Sequence, residues 1–496
     1  MHRLIRPTLL LPICAALAMA GCGPNNSGET KVVLIGDGAR LSDPAAGPVD
    51  SDDAVLLSAA AEGLVQLDPR GEVIPGIAER WHVSDDGMSY IFRLGSRRWP
   101  DGKQIEAETV ARLLRRSMRA PSNRLFDSFR AVEDVKAMTD RVIEIRLSAP
   151  RPDLLTILGQ PELALLRNGQ GAGPFLISRS DDEDDPGMHL SRLTGSEDRG
   201  DLTEETIHLS SLKTADAIAA FAKGEAELVL GGTFADLPLA LQAEINYSAI
   251  RIDPVIGLFG LQVMRADGPL GDKEVRSILN RAIDRDALVA DLQVPGLLPR
   301  ATLLQAGLDV PDGYETPAWS ETAIAERRAE LGAALRRQFG DNRDGNALMT
   351  VRLYIPAGPG GDMVYERIAA DWLAVGVATE RVQRRDRADV VLVDEVAPST
   401  SASWFVRRFR CGAVPICSTE ADELLAEARK ALVVDNRQRQ LVEAARMMDQ
   451  AELFMPLTAP IRWSLATPDI RGFAPNILGR HALTGLKSAL PSESSR

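Results

Sequence analysis

The sequence predicts an α/β protein built from more than one lobe, on three observations. Its 496 residues exceed what one hydrophobic core holds, so two or three domains are expected. An apolar content of 45% with 26% charge is ordinary for a soluble globular chain. Helix-then-strand units recur, as in Ala215 to Lys223 followed by Gly224-Glu225-Ala226-Glu227-Leu228-Val229-Leu230, and that alternation belongs to α/β lobes. A formal net charge of −13 argues against nucleic acid or an anionic membrane surface as a main partner.

At the N-terminus, Arg3 and Arg6 precede the apolar run Leu9 to Ala20, which is too short to span a bilayer and reads as a secretory signal over 1–21. The small residues before Cys22 resemble a bacterial lipoprotein box, with Met19 where leucine is usual. That implies a mature chain beginning at a diacylated Cys22; an ordinary cleaved signal leaving a stray cysteine is the alternative. Residues 22–30 are polar and rich in breakers, as in a flexible tether. Of the remaining cysteines, Cys411 and Cys417 are expected to form a disulfide in an oxidising compartment, the alternative being two free thiols. No histidine lies near them to complete a metal site.

Strand Lys31 to Ile35 ends in the loop Gly36-Asp37-Gly38, which lacks the Gly-Lys-Ser/Thr of a phosphate loop but is placed to face a ligand. From Glu62 to Met118 the chain reads as scaffold. Gly63 to Leu67 is apolar, Asp68-Pro69-Arg70-Gly71 a turn, and a proline-started helical turn is expected to end near Trp81. Ser84-Asp85-Asp86-Gly87 is a hairpin signal leading into Ser89 to Leu94, where Tyr90, Phe92 and Leu94 alternate with Ser89, Ile91 and Arg93. Trp99-Pro100-Asp101-Gly102 turns the chain into a helix from Ala107, with Val110, Leu113, Leu114 and Met118 on one face. Val142 to Leu147 follows as a strand and Pro150 to Leu158 as turn and helix. The acidic run Asp181 to Asp185 lacks a calcium-loop pattern and reads as a solvated hairpin tip.

In the second half, Leu258 to Val263 is a buried-type strand. Asp272 fits as N-cap of a helix burying Val275, Ile278, Leu279 and Ala282, with Asp284 and Arg285 ion-pairing at its end. Helices are expected at Ile324–Phe339, Met363–Val375, Leu424–Ala431 and Leu441–Leu453, and strands at Met349–Ile355 and Asp389–Val393. Residues 491–496 read as a frayed tail.

The order of apolar strand, Pro75-Gly76-Ile77-Ala78-Glu79-Arg80-Trp81, Ser84-Asp85-Asp86-Gly87-Met88-Ser89-Tyr90-Ile91-Phe92-Arg93-Leu94, Trp99-Pro100-Asp101-Gly102 and Ala107-Glu108-Thr109-Val110 resembles bacterial extracellular solute-binding protein family 5, the dipeptide- and oligopeptide-binding components of ABC importers. Pro269-Leu270-Gly271-Asp272 through Ala282-Ile283-Asp284-Arg285 is a second match, and outline similarity runs from about 31 to 480. The resemblance implies a type II periplasmic binding protein fold of the large peptide-binding class. Lobe 1 would hold 31–55, 165–254 and 468–490, an extra subdomain 56–164, and lobe 2 residues 255–467. A hinged pair of lobes would close on a peptide or other small solute and pass it to a permease and ATPase complex. Such a receptor would be a monomer without cofactor, lipid-anchored in the periplasm.

Within that frame Ser42, in a worn Leu-Asp-Pro, and Gly173, in a Gly-Thr-Gly-Pro-Tyr-like loop, are cleft candidates, although Gly173 reads first as a packing glycine. Peptide-binding relatives place a tryptophan and an amine-holding aspartate where this chain has Glu395 and Pro398, and an asparagine where it has Met264. Asp394 or Glu395 would then supply the charge, the alternative being a surface or ion-pairing role. Trp404 and Phe405 are stacking candidates, with core packing as the alternative, and Arg384, Arg385, Arg407 and Arg408 carboxylate-binding candidates, with a solvated face as the alternative. The alternatives are a non-peptide ligand or a sensing or scaffolding lipoprotein. An enzyme is more remote, since the histidines are scattered and no catalytic motif is present.

Overall fold

Strand Glu29–Ile35 founds the first lobe because both its faces are apolar. Val32 and Leu34 pack under helix Ser51–Ala60, while Val33 packs with helix Thr214–Ala222 on the other side. Burial on two faces is what gives this strand a continuous rather than alternating apolar run. In this computed structural model, which describes residues 28–179, 187–195, 200, 202–311, 316–340 and 347–486, it pairs in parallel with Thr203–Leu212 and Leu228–Thr233. The signal segment, Cys22, most of the tether, the run Asp181–Asp185 and the 491–496 tail lie outside the described residues. The complete sheet has seven strands in the order Leu176–Arg179, Met188–Thr194, Thr203–Leu212, Glu29–Ile35, Leu228–Thr233, Arg462–Ala466, Ile250–Ile252.

An antiparallel four-stranded sheet forms the extra subdomain, in the order Ala78–Val83, Ser89–Leu94, Val142–Leu147, Val132–Thr139. Helix Ala107–Arg119 covers one face, and Tyr90, Phe92 and Leu94 are buried there with Val110 and Leu114. The helical turn expected before Trp81 is absent: Val73–Pro75 and Ala78–Val83 are strands. Tertiary pairing overrides the proline signal. Ile77 N–H donates to the Gly63 carbonyl at 3.0 Å and Ala78 N–H to that of Leu64 at 3.0 Å, drawing the chain alongside Gly63 and Leu64. The approach is so close that a Cβ on Gly76 would sit 2.6 Å from the Gly63 carbonyl oxygen.

The second lobe is a five-stranded sheet in the order Val377–Arg381, Met349–Tyr354, Val390–Val396, Gly257–Val263, Met455–Thr458. Every residue of Gly257–Val263 is buried. Asp272 caps helix Lys273–Ala282 through the Glu274 N–H. The ion-pairing role expected of Asp284 and Arg285 gives way to a different one. Asp284 caps a separate helix, Arg285–Leu292, and Arg285 has no carboxylate partner among the described residues. Its guanidinium instead donates to the carbonyls of Pro456, Arg300 and Asn280 at 2.7–2.9 Å, and burial pushes its pKa down to about 9.

Among the described residues the chain passes between the sheets twice, from Ile252 to Gly257 and from Thr458 to Arg462. The return comes six residues before the boundary expected at 468. The two passages run abreast, since Ile252 pairs with Trp463 and Phe259 with Thr458. Phe234 of the first lobe meets Phe259 of the second edge to face at 4.9 Å beside them.

Candidate functional site: the cleft between the lobes

A cleft of about 1000 Å³ lies between the sheets. The first lobe supplies the 35–38 loop and the N-terminus of helix Ser51–Ala60, the extra subdomain and its flank supply Arg124, Gln160 and Glu162, and the second lobe supplies 394–398 with Trp404 and Arg408. Strand ends and helix starts converge here because parallel strands deliver their C-terminal loops to one edge.

Most charge on the walls is already paired. Asp394 takes Arg462 Nη1 on both oxygens at 2.9 and 3.0 Å, which joins the second lobe's sheet to the returning strand of the first. Burial raises the Asp394 pKa above the usual carboxylate range, and Arg462 offsets that only in part. Glu395 holds Arg408 at 2.7 and 3.0 Å, Glu162 holds Arg480 at 3.0 Å, Asp50 faces Arg124 at 3.7 Å, and Asp37 holds Lys213.

Three lining charges have no opposite charge within ion-pair distance among the described residues: Asp52, Asp53 and Arg40. Asp53 is buried and accepts from the Arg40 N–H at 2.8 Å and from Ser42 Oγ at 2.9 Å. Asp52 accepts from Ser51 Oγ at 3.2 Å and lies flat on the loop, so that a Cβ on Gly36 would fall 1.8 Å from its Oδ2. Acids at a helix start are favoured by the local N–H groups and dipole, which lets two carboxylates sit side by side without a cation. A smaller cavity of about 90 Å³ continues from Asp52 into the first lobe, toward Leu34, Val55 and Ala164.

Of the residues singled out in the sequence, Asp394, Glu395 and Trp404 line the cleft, as does Arg408. Ser42 stands behind the wall as a donor to Asp53. Gly173 lies away from the cleft, against the end of helix Ser51–Ala60, where its N–H donates to the Ala60 carbonyl and a Cβ would come within 2.4 Å of the Ala60 backbone. Its missing side chain serves packing. Arg384 sits on an exposed turn, paired with Asp386 at 2.5 Å, because the strand after it, rather than this turn, carries the chain to the cleft. Phe405 is wholly buried in the second lobe's core, and Arg407 faces a different cavity. Met264 packs on that same core and Pro398 gives its carbonyl to Gln160 Nε2 at 2.9 Å. Cys411 and Cys417 are disulfide-bonded.

Sequence reasoning missed Asp52, Asp53, Glu162 and Arg462. Ser51-Asp52-Asp53 looks like any helix start, and the signal that sets it apart, a glycine shaped to the Asp52 carboxylate, lies sixteen residues upstream at Gly36. The arrangement suits holding a polar solute by charge. Three of the four histidines past the signal are engaged elsewhere, His481 with Asp253 at 3.0 Å and His189 with Glu29 at 2.8 Å, its ring also 5.1 Å from that of His208. Among the described residues no group of three or more ligands gathers for a metal.

Residues 72–390 match the family model for bacterial extracellular solute-binding proteins, family 5. The dipeptide-binding protein of Escherichia coli strain K12 is 23% identical over 356 residues, 63% of this chain; the match spans 63% of that protein's length. In structure, Haemophilus influenzae OppA in complex with RPPGFSPFR superposes with a TM-score of 0.77 at 16% identity, covering 93% of this chain and 99% of that one. The murein tripeptide binding protein MppA of Escherichia coli gives the same TM-score, identity and coverage. These are solute-binding proteins with a two-lobed α/β fold, not enzymes. The chain belongs to bacterial extracellular solute-binding protein family 5.

Proposed function

We propose that the protein is the receptor of an ABC importer for peptides, and that it grips the ammonium end of its solute with Asp52 and Asp53. The observation that carries this reading is the pair of buried carboxylates without cations at the wall of a cleft of about 1000 Å³. An ammonium brought there replaces water at two charged acceptors, and charge-assisted bonds of that kind are worth about 1.5–3 kcal/mol each. Arg40 beside them is open to the solute's own carboxylate or peptide carbonyls. Trp404 offers a face for a side chain, and the annex behind Asp52 offers room for a small apolar one. The dipeptide-binding relative and the peptide-bound OppA neighbour support peptides as the solute class. A lipid on Cys22 would keep the receptor beside its permease at the membrane.

A non-peptide amine is the second reading. It is favoured by Asp394 and Glu395 being neutralised by arginines, so that the usual aspartate for a peptide amino terminus has no direct replacement in the second lobe. The test is to purify the protein, release what it carries and identify it by mass spectrometry, then repeat with Asp52→Asn/Asp53→Asn. Recovery of peptides from the parent and their loss from the variant is the expected result. Peptides retained by the variant would end the assignment to these carboxylates, and a non-peptide amine in the parent would select the second reading.

A further inference from the structure

Helix Ala402–Arg407 is a partition wall. Trp404 and, one turn on, Arg408 face the solute cleft, whereas Ser403 and Arg407, also a turn apart, face a separate cavity of about 340 Å³. The two cavities share no lining residue. The second one is bounded by the extra subdomain on one side, through Asp127, Arg130 and Arg151, and by the second lobe on the other, through Arg407, Arg429 and Arg437. It exists only while those two bodies are in contact.

Its charge is unbalanced. Five guanidiniums line it: Arg130, Arg151, Arg407, Arg429 and Arg437. Asp127 is shared by Arg130 and Arg410, Asp153 serves Arg151, and Asp309 serves Arg437. Arg407 and Arg429 have no carboxylate within ion-pair distance among the described residues. Arg407 is buried and, among the described residues, donates to the carbonyls of Ser403 and Asp127 and to Ser128 Oγ. Burial, and then the like charge of Arg151, push its pKa down to about 9. A buried, underneutralised cation is destabilising unless a counter-charge joins it.

We propose that this cavity binds a small free oxyanion of the phosphate or sulfate class, which bridges the extra subdomain and the second lobe and so favours the closed arrangement. The volume has room for such an anion and a surrounding shell of waters, at roughly 30 Å³ each. Guanidinium forks match its oxygens bidentately. The site is independent of the solute in the cleft, so it stands or falls apart from the reading of Asp52 and Asp53.

The test titrates inorganic phosphate and sulfate, each against chloride at matched ionic strength, into the full-length protein in detergent. Calorimetry reads binding and small-angle scattering reads closure. Saturable binding with compaction is expected in the parent and in Asp52→Asn/Asp53→Asn. In Arg130→Gln/Arg429→Gln, which alters only exposed rim positions, the affinity should fall about tenfold or more. Arg407→Lys, provided it keeps the parent's circular dichroism, should weaken it as well. A linear salt response equal for all three anions, or one unchanged in the rim variant, would overturn the proposal, since general stabilisation by sulfate acts without a site.

Discussion

Closure of the cleft is held by a small set of bonds across it. Arg407 supplies two, to the Asp127 carbonyl and Ser128 Oγ, and removing three others should shift the molecule toward opening without unfolding it. Gln160 Nε2 donates to the Pro398 carbonyl at 2.9 Å, Ser399 Oγ to Asp153 Oδ2 at 3.1 Å, and Arg410 reaches the Asp127 carboxylate at 2.7 Å. Each joins the extra subdomain or its flank to the second lobe, and none contributes to either sheet. A neutral hydrogen bond contributes about 0.5–1.5 kcal/mol and one to a carboxylate somewhat more. The Arg410 pair is about a quarter to a third exposed, so solvent screening limits it to about 0.2–1 kcal/mol. The triple variant Gln160→Ala/Ser399→Ala/Arg410→Ala should therefore shift the closed-to-open ratio by about 2–3 kcal/mol, or roughly 30- to 150-fold. Small-angle scattering would show a larger radius of gyration, and fluorophores placed on the extra subdomain and the second lobe would separate. The midpoint of urea unfolding should barely move, because each core is intact. A variant that stays as compact as the parent, or that loses its 2–3 kcal/mol in global unfolding instead, would refute the idea that these bonds act as a latch.

Other outcomes can be checked separately. Arg462→Met leaves Asp394 without its partner and should cost about 2–3 kcal/mol in urea unfolding at pH 7, with Asp394→Asn/Arg462→Met recovering most of it. The loss should shrink as pH falls, because the Asp394 carboxyl is already raised and its protonated form needs no cation. Burial pushes Asp449 up to about 8, with the charge of Glu452 adding to it and only the Leu303 N–H opposing. Its folded pKa thus lies above its unfolded one, so stability is fullest below pH 4 and is lost as pH rises toward 8. Asp449→Asn should remove that slope and gain about 2 kcal/mol at pH 8, discounted for the residue's partial exposure. Cys411→Ser/Cys417→Ser opens a short loop and should lower stability by about 2 kcal/mol, read as a shift in the melting temperature that reductant reproduces in the parent.

Local chemistry was the legible part of this chain. Helix Ala107–Arg119 lies where its apolar spacing put it, and the Ser84–Gly87 turn joins two strands as its residues require. Errors arose where a distant partner decided the local form. Pro75 begins no helical turn because Gly63 and Leu64 take the following N–H groups into backbone pairing. Arg285 looks like an ion-pairing helix end until Pro456 and Arg300, far along the chain, bring their carbonyls to it. The cleft divides along the same line. Asp394, Glu395 and Trp404 were found because they follow a recognisable strand, yet nothing nearby announces that Arg462 and Arg408 neutralise the two acids. Asp52 and Asp53 were hidden in an unremarkable helix start, and only the three-dimensional fit of Gly36 against a carboxylate distinguishes them.

The paired passages at Ile252–Gly257 and Thr458–Arg462 also govern how the halves can travel. Two chains abreast resist twisting about either one alone, so the lobes swing like covers about one spine. A guest must then enter and leave through the mouth opposite that spine.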